Sequence, residues 1–330
     1  MRVLSDSDVE SVLDLTELLA VVEEAFERQG RGEVERPERP HFPVGKGLVP
    51  PGDPDGAASD EPLGTGLAMP AYIHGADTYA TKLVGVHEGN AERGLPTVNA
   101  TIAVTDAATG QPVAYMAGSR VTNARTGCIG GLAARALAPE GPVTLGLIGA
   151  GQQARWQARA IDAATDLERV RVYSPSDSRV ACASDLQAEG INAVPVESAA
   201  AAVTDATVVV TATTARSSVF DGRDLRDGAL VVAIGAYTES MRELDERTMR
   251  RADRIFADVP SEAAETGDVP SAFADELIPF SSALSGAAGR ETDSEVIVVE
   301  SVGTAVLDAA AAEHLHEAAL SAGVGTEIGL

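Results

Sequence analysis

The chain has 330 residues, 45% of them hydrophobic, which is enough to bury the cores of two compact domains. A formal net charge of −25 excludes nucleic acid and anionic membranes as partners, since so acidic a surface repels both. Cys128 and Cys182 are too few for a disulfide framework and lack metal-ligand spacing, so a reducing cytoplasm is the expected location.

The opening MRVLSDSDVESVL carries charges where a secretory leader needs an apolar run. Residues 1–35 are expected to form a strand or turn and then an amphipathic helix. Asp14 or Thr16 is placed to cap that helix, and Leu18, Leu19, Val22, Ala25 and Phe26 recur at helical spacing. Prolines break the next stretch, RPERPHFPVGKG. The acidic, turn-rich Pro50–Gly66 segment predicts a mobile surface loop. Between Tyr72 and Tyr115, YATKLVGV, TVNATIAVTD and VAYMAG predict an antiparallel meander, with DAATGQP as a tight turn. A long helix is expected from about Thr122 to Ala138, ended by Pro139 and Gly141.

From VTLGLIG onward, apolar strands alternate with helical stretches. AGQQARWQARAIDAAT and SRVACASDLQAEG read as helices; VRVYS, ATVVVTAT, ALVVAIGA and RIFADV read as strands. That alternation predicts an α/β domain with a parallel, doubly wound sheet. The last stretch, VIVVESVGTAVLDAAAAEHLHEAALSAG, reads as a strand, a glycine turn and a helix.

Directly after the VTLGLIG strand, Gly149, Ala150, Gly151, Gln152, Gln153 and Ala154 spell G-x-G-x-x-A at a helix start. Gly149 permits the tight turn, Gly151 admits a pyrophosphate to the backbone, and Ala154 lets helix and strand pack closely. The fingerprint predicts a Rossmann site for NAD(H) or NADP(H). At the tip of the next strand, Ser174 and Ser176 stand where a carboxylate would take a ribose 2′-OH, and Arg179 is near enough to meet a 2′-phosphate. This favours NADP over NAD; the alternative makes Arg179 a solvated helix residue and Asp177 a cap. Thr211, Ala212 and Thr213, with Gly235 and Ala236, lie where a dinucleotide crosses the sheet.

The stretches GLAMPAYI, TKLVGVHEGNAERGLPTVNATIAVTDAATGQPVAYMAG, SRVTNARTGCIGGLAARAL, LGLIGAGQQA, MRELD and ESVGTAVLDAAAA resemble the ornithine cyclodeaminase/mu-crystallin family. That family also holds archaeal alanine dehydrogenases and ketimine reductases. The resemblance implies a central Rossmann domain over 123–304. A second α+β domain, 1–122 with 305–330, would bind substrate and form a homodimer. It implies that Arg39, Lys82 and Arg125 hold a substrate carboxylate. Thr97 would lie near the substrate and Asn90 in the loop shaping its pocket. Thr126 would stand with Arg125 toward the nicotinamide, which Gly303 approaches through its backbone.

Lys82 stands in an apolar strand of a chain whose other lysine is Lys46, and so reads either as a partly buried functional ammonium or as an edge-strand lysine reaching solvent. Tyr237 occupies the position where ornithine cyclodeaminases carry an aspartate, and Glu239 is shifted from it; Glu243 and Asp245 read as packing and cap residues. His41, His74 and His87 are loop histidines, His87 being the best placed to shuttle a proton. Metal-binding spacings are missing.

The expected activity is an NAD(P)-dependent oxidoreductase acting on a small α-amino acid or its imine, of the alanine dehydrogenase or cyclic-imine reductase type. The alternatives are an ornithine cyclodeaminase with catalytic NAD and a non-catalytic NAD(P)H-binding protein of the mu-crystallin kind. The acidic residues are spread along the chain, which reads as a surface adapted to high salt, with a basic partner as the alternative. The thermal midpoint is therefore expected to rise from dilute buffer to molar salt; equal midpoints would remove the salt-adapted reading.

Overall fold

The computed structural model describes residues 1–52 and 57–329, and residues 53–56 of the expected Pro50–Gly66 loop lie outside the described residues. The chain divides into two units: unit 1 is Met1–Leu13, Glu33–Thr122 and Ala305–Leu330, and unit 2 is Asp14–Gly32 and Asn123–Thr304.

Unit 1 begins with β1 (Arg2–Leu4) and a short helix α1 (Asp6–Val12), which stands where only a strand or turn is expected before the amphipathic helix. Ser5 nucleates it through a capping box: its Oγ accepts from Asp8 N at 3.2 Å, and its own N–H donates to Asp8 Oδ2 at 2.9 Å. The strands β2 (Val34–Glu35), β3 (His41–Val44), β4 (Gly64–Ile73), β5 (Thr78–Val86), β6 (Val98–Asp106) and β7 (Pro112–Ala117) follow. From β4 to β7 they form the expected antiparallel meander. β1 adds in parallel to β7, and Thr326–Glu327 adds antiparallel to β1.

Alternation gives this sheet two faces. Met69, Ala71, Ala80, Lys82, Ile102, Val104, Ala114 and Met116 are buried on one of them. The C-terminal helix (Ala305–Ala322) packs on β4, β5 and β6. It is apolar nearly all round, as a buried helix must be. The opposite face presents Tyr79, Leu83 and Tyr115 at 38%, 50% and 38% exposure, and Tyr115 Oη donates to Thr101 Oγ1 at 3.0 Å.

Unit 2 contains α2 (Leu15–Gly30), capped by Asp14 Oδ1, which accepts from Thr16 N at 2.7 Å and Glu17 N at 3.1 Å. Its membership corrects the expected grouping of residues 1–122. The buried stripe that includes Leu19 and Phe26 faces this unit: Phe26 meets Phe280 edge-to-face at 5.2 Å, and Leu19 lies against Gly131. Helix α3 (Gly118–Leu137) starts four residues before the expected Thr122, because Gly118 fits tightly against Ile102 and the β6 backbone and the strand turns straight into helix.

The sheet of unit 2 contains β8 (Val143–Ile148), β9 (Leu167–Tyr173), β10 (Ala193–Pro195), β11 (Val208–Thr211), β12 (Leu230–Ala233), β13 (Ala252–Ala257), β14 (Ile278–Pro279) and β15 (Val296–Glu300). Its order is β10-β9-β8-β11-β12-β15-β13-β14, with every pair parallel. Helix α4 (Gln152–Ala164) follows β8, and α5 (Ser178–Ala188) follows β9. This is the doubly wound sheet expected from the alternating pattern, and its order reverses around β8, where such sheets bind ligands.

A buried carboxylate ties the carboxyl ends of β11 and β12 together. Glu243 Oε2 accepts from Thr211 Oγ1 at 2.9 Å and Gly235 N at 2.7 Å, and Oε1 accepts from Thr213 N at 2.7 Å. Asp268 Oδ1 in turn accepts from the backbone N–H groups of Glu243 and Leu244 at 2.6 and 2.7 Å. Burial pushes the Glu243 carboxyl up to about 7 from an ordinary 4.5, against the pull of those hydrogen bonds. Glu300, at the end of β15, is raised well above its ordinary value by burial and then by the charge of Asp268.

For Glu243, the unfolded chain loses its proton near 4.5 and the folded chain near 7. The stability contributed by the neutral form is therefore complete below about 4.5 and is lost as pH rises to about 7. Glu243→Gln is expected to lower stability throughout, because its amide turns an N–H toward a backbone N–H, a mismatch of about 1–3 kcal/mol. Urea unfolding between these pH values should show a flatter pH dependence in the variant; an unchanged slope would assign the titration to another group.

Candidate functional site

The end of β8 has the geometry of a phosphate cradle. Gly149 takes φ 109, and a Cβ there would run into the Ala212 carbonyl oxygen. Gly151 stands at the N-cap of α4 with open space where its Cβ would be, and no side chain among the described residues caps the helix. The first-turn N–H groups and the positive end of the helix are thus left for an anion. Ala154 is fully buried, Gln152 is exposed, and Gln153 Nε2 donates to Asn123 Oδ1 at 2.7 Å. These residues fit a dinucleotide diphosphate.

At the tip of β9 three hydroxyls converge, with Ser174 and Ser176 each 2.8 Å from Ser178. Arg179 lies beside them but is engaged: Nη1 donates to Ser176 O at 2.9 Å, and Nη2 donates to Glu197 Oε2 at 2.9 Å. It is therefore not a merely solvated helix residue. Asp177 occupies the N-cap of α5 without making a side-chain cap bond.

In the crossing loops, Thr211 is fully buried and its hydroxyl donates to Glu243 Oε2 at 2.9 Å. Thr213 Oγ1 accepts from Ala215 N at 3.2 Å, Ala236 is buried, and a Cβ at Gly235 would run into Thr213 O. The residue organising this region is Glu243, and nothing in its local sequence distinguishes it from a surface glutamate. Asp245 does cap α6 (Glu246–Arg251), accepting from Thr248 N at 2.7 Å. Tyr237 stands 39% exposed in the loop beyond β12.

Arg125, on α3, is 4% exposed, and a Cβ at Gly303 would stand 3.3 Å from both of its terminal nitrogens. Gly303 takes φ 78, so its backbone lies against the guanidinium. Asp258 fixes that loop. Its Oδ2 accepts from Gly303 N at 2.7 Å and Ser301 Oγ at 2.8 Å, while Oδ1 accepts from Val302 N at 3.1 Å. Burial raises the Asp258 carboxyl, with these bonds and Arg125 pulling it back. Asp258 was missed in the sequence; the available signal was an acid at the end of the apolar RIFA strand. Thr126 is buried, and its carbonyl accepts from Gln157 Nε2 at 2.9 Å.

In unit 1, Lys82 does not reach solvent. It and Asp308, in the first turn of the C-terminal helix, are each 2% exposed and form an ion pair of 2.6 Å. Asp308 was also missed. Thr97 just precedes β6, whose first residue pairs with Val86, whereas Lys82 pairs with Ile102. At about 3.3 Å per residue this puts Thr97, five residues from Ile102, on the order of 16 Å along the sheet from Lys82. Its carbonyl accepts from His87 N at 2.8 Å. Asn90 Nδ2 donates to Pro96 O at 2.8 Å, and Arg39 is half-buried between β2 and β3. A cavity of about 680 Å³ lined by Leu48, Leu63, His87, Asn90, Arg93 and Asn99 opens on this unit, on the sheet face opposite Lys82. His74 Nε2 lies 3.0 Å from Glu35 Oε1. Among the described residues, no group of three or more His, Cys, Asp or Glu side chains is placed to hold a metal. No described helix is long and apolar enough to cross a membrane.

Comparison with known proteins places this geometry. The chain is 34% identical over 275 residues to a Delta(1)-pyrroline-2-carboxylate reductase of Bacillus cereus, covering 80% of this chain and 84% of that one. The Thermococcus litoralis Delta(1)-pyrroline-2-carboxylate reductase, solved with NADH and L-proline, superimposes with a TM-score of 0.89 at 31% identity, covering 99% of this chain and all of that one. An archaeal alanine dehydrogenase dimer with bound NAD gives a TM-score of 0.88 at 29% identity, covering 100% and 99%. The family model of the ornithine cyclodeaminase/mu-crystallin family matches residues 1–323, and the chain belongs to that family.

Proposed function

We propose that this protein is an NAD(P)-dependent oxidoreductase that reduces a cyclic imine carboxylate to the matching α-amino acid, or interconverts a small α-amino acid and its imine. The observation that carries the reading is the N-terminus of α4 behind Gly149, where Gly151 leaves open space and no side-chain cap, and Arg155 Nη1 donates to the Ala150 and Gly151 carbonyls at 2.6 and 3.2 Å. When bound there, the nicotinamide cofactor supplies hydride to, or accepts it from, the substrate carbon.

The protein's own residues do the rest. Arg39 and Lys82 in unit 1, and Arg125 in unit 2, are each cations suited to a substrate carboxylate, and Arg125 is pinned by the Gly303 backbone. Lys82 holds the proton that the imine nitrogen gains. Tyr237 brings no carboxylate to guide an attacking water, which favours reduction over cyclodeamination. At the β9 tip, three serine hydroxyls and Arg179, with no carboxylate at the strand end, favour NADPH over NADH, although Glu197 competes for the guanidinium. The uncharged outer face of β5, β6 and β7, with Tyr79, Leu83 and Tyr115 exposed, suits a second copy of the chain.

The first test is cofactor absorbance in molar salt with NADH or NADPH, offering Delta(1)-pyrroline-2-carboxylate, pyruvate with ammonia, and L-proline, L-alanine and L-ornithine in the reverse direction. Net cofactor oxidation with an imine is expected, faster with NADPH at low concentration. Ammonia released from ornithine without net cofactor change would replace this reading with a lyase. Tight cofactor binding with no turnover on any substrate would replace it with a binding protein. For the interface, Leu83→Asp is expected to convert a dimer into single chains in sedimentation, and an intact dimer would place the contact elsewhere.

A further inference from the structure

We propose that Asp308 is a positioning residue for the reaction, keeping the Lys82 ammonium charged and aimed; this rests on the reading above that Lys82 holds the transferable proton. The pair is enclosed, with both side chains 2% exposed and nitrogen and oxygen 2.6 Å apart. Its surroundings are apolar: Met69 and Ile102 flank Lys82 on β4 and β6, and the helix turn around Asp308 is Ala305, Val306, Leu307 and Ala309. A buried ion pair at such a place adds little or nothing to stability over an apolar pair of the same volume. Packing alone gives no reason for it.

The choice of cation points the same way. This chain carries two lysines, and arginine makes its other strong pairs, such as Arg120 with Asp6, Arg155 with Asp185 and Arg159 with Glu189. Arginine does not give up its proton, whereas a buried lysine exchanges one readily when its surroundings allow. Asp308 is suited to govern that exchange. The first turn of the helix favours its negative charge, and its backbone is fixed by the helix that covers the sheet.

The other ionisable groups on the elements around the pair are Glu313, His314, His316 and Glu317 on the helix and Asp106 on β6, of which Glu317 is exposed. Glu313 accepts from Thr78 N and Oγ1 at 3.0 Å each. Burial, and then Arg2, hold the His316 imidazole below its ordinary value, and Asp106 at the end of β6 accepts from Thr109. In the reductive direction the Lys82 ammonium gives one proton to the imine nitrogen, matching the hydride that a bound nicotinamide would supply to the imine carbon. Lys82 is left as a neutral amine, Asp308 stays a carboxylate, and solvent returns the proton to Lys82.

Because the sequence has only Lys46 and Lys82, protein labelled with ¹³C and ¹⁵N at lysine gives two side-chain signals, and Lys46→Arg assigns them. In Asp308→Asn the Lys82 titration midpoint is expected to fall by about one pH unit or more, as befits loss of an adjacent opposite charge. The basic limb of the kcat/KM profile for imine reduction should move down with it. Asp308→Glu, which also serves if the asparagine variant fails to fold, should restore both in part. A Lys82 midpoint that stays put overturns the proposal, and so does a midpoint that moves while the kinetic limb does not. Loss of thermal stability with both pH readouts unmoved would mark the pair as structural. A midpoint that falls in a protein reducing no imine would support the pairing and sink the substrate reading instead.

Discussion

Backbone N–H groups at the carboxyl ends of a parallel sheet have to be satisfied once the loops above it are buried, and water cannot reach them there. In unit 2 three carboxylates meet that demand. Glu243 accepts from Thr213 and Gly235, Asp268 from Glu243 and Leu244, and Asp258 from Val302 and Gly303. Each closes one loop, and Asp268 braces the backbone of Glu243, so the crossing region is held by a short chain of acids. The cost of that arrangement is visible in the raised carboxyls of Glu243, Asp258, Asp268 and Glu300, all buried and close enough for charge to oppose charge.

The same constraint explains the candidate cofactor site by contrast. At the start of α4 the N–H groups are equally in need of acceptors, yet no described side chain caps them and Gly149 and Gly151 keep the approach clear. Carboxylates close the loops after β11, β12 and β15 and are missing where an anion would have to bind. In a protein with 50 acidic residues, that distribution separates a structural loop end from a ligand-binding one.

Unit 1 solves a different problem. Its sheet has one face covered by an almost wholly apolar helix, and into that covered face it places a single lysine–aspartate pair. The other face keeps tyrosines and a leucine at the surface. The architecture shared with the Thermococcus litoralis reductase and the archaeal alanine dehydrogenase is therefore combined with polar groups at a few buried points, among which Glu243, Asp258, Asp268 and Lys82 have identifiable partners.

What the sequence determined by itself was everything that depends on neighbours in the chain. The period-two runs from β4 to β7, the alternation of apolar strands and helices from Val143 onward, the Asp14 cap and the Gly149–Ala154 turn all follow from local spacing. The acids that organise the interior were not legible there, because their partners are distant: Glu243 meets Thr211 across 32 residues and Asp258 meets Gly303 across 45, while Lys82 finds Asp308 only when the C-terminal helix lies on the sheet. Helix α2 makes the same point, since its apolar stripe was plain but the surface it would cover was not. Periodicity reports which side of an element is buried; only the tertiary fold decides what that side is buried against, and so whether an isolated acid is a solvated charge or the acceptor that holds a loop in place.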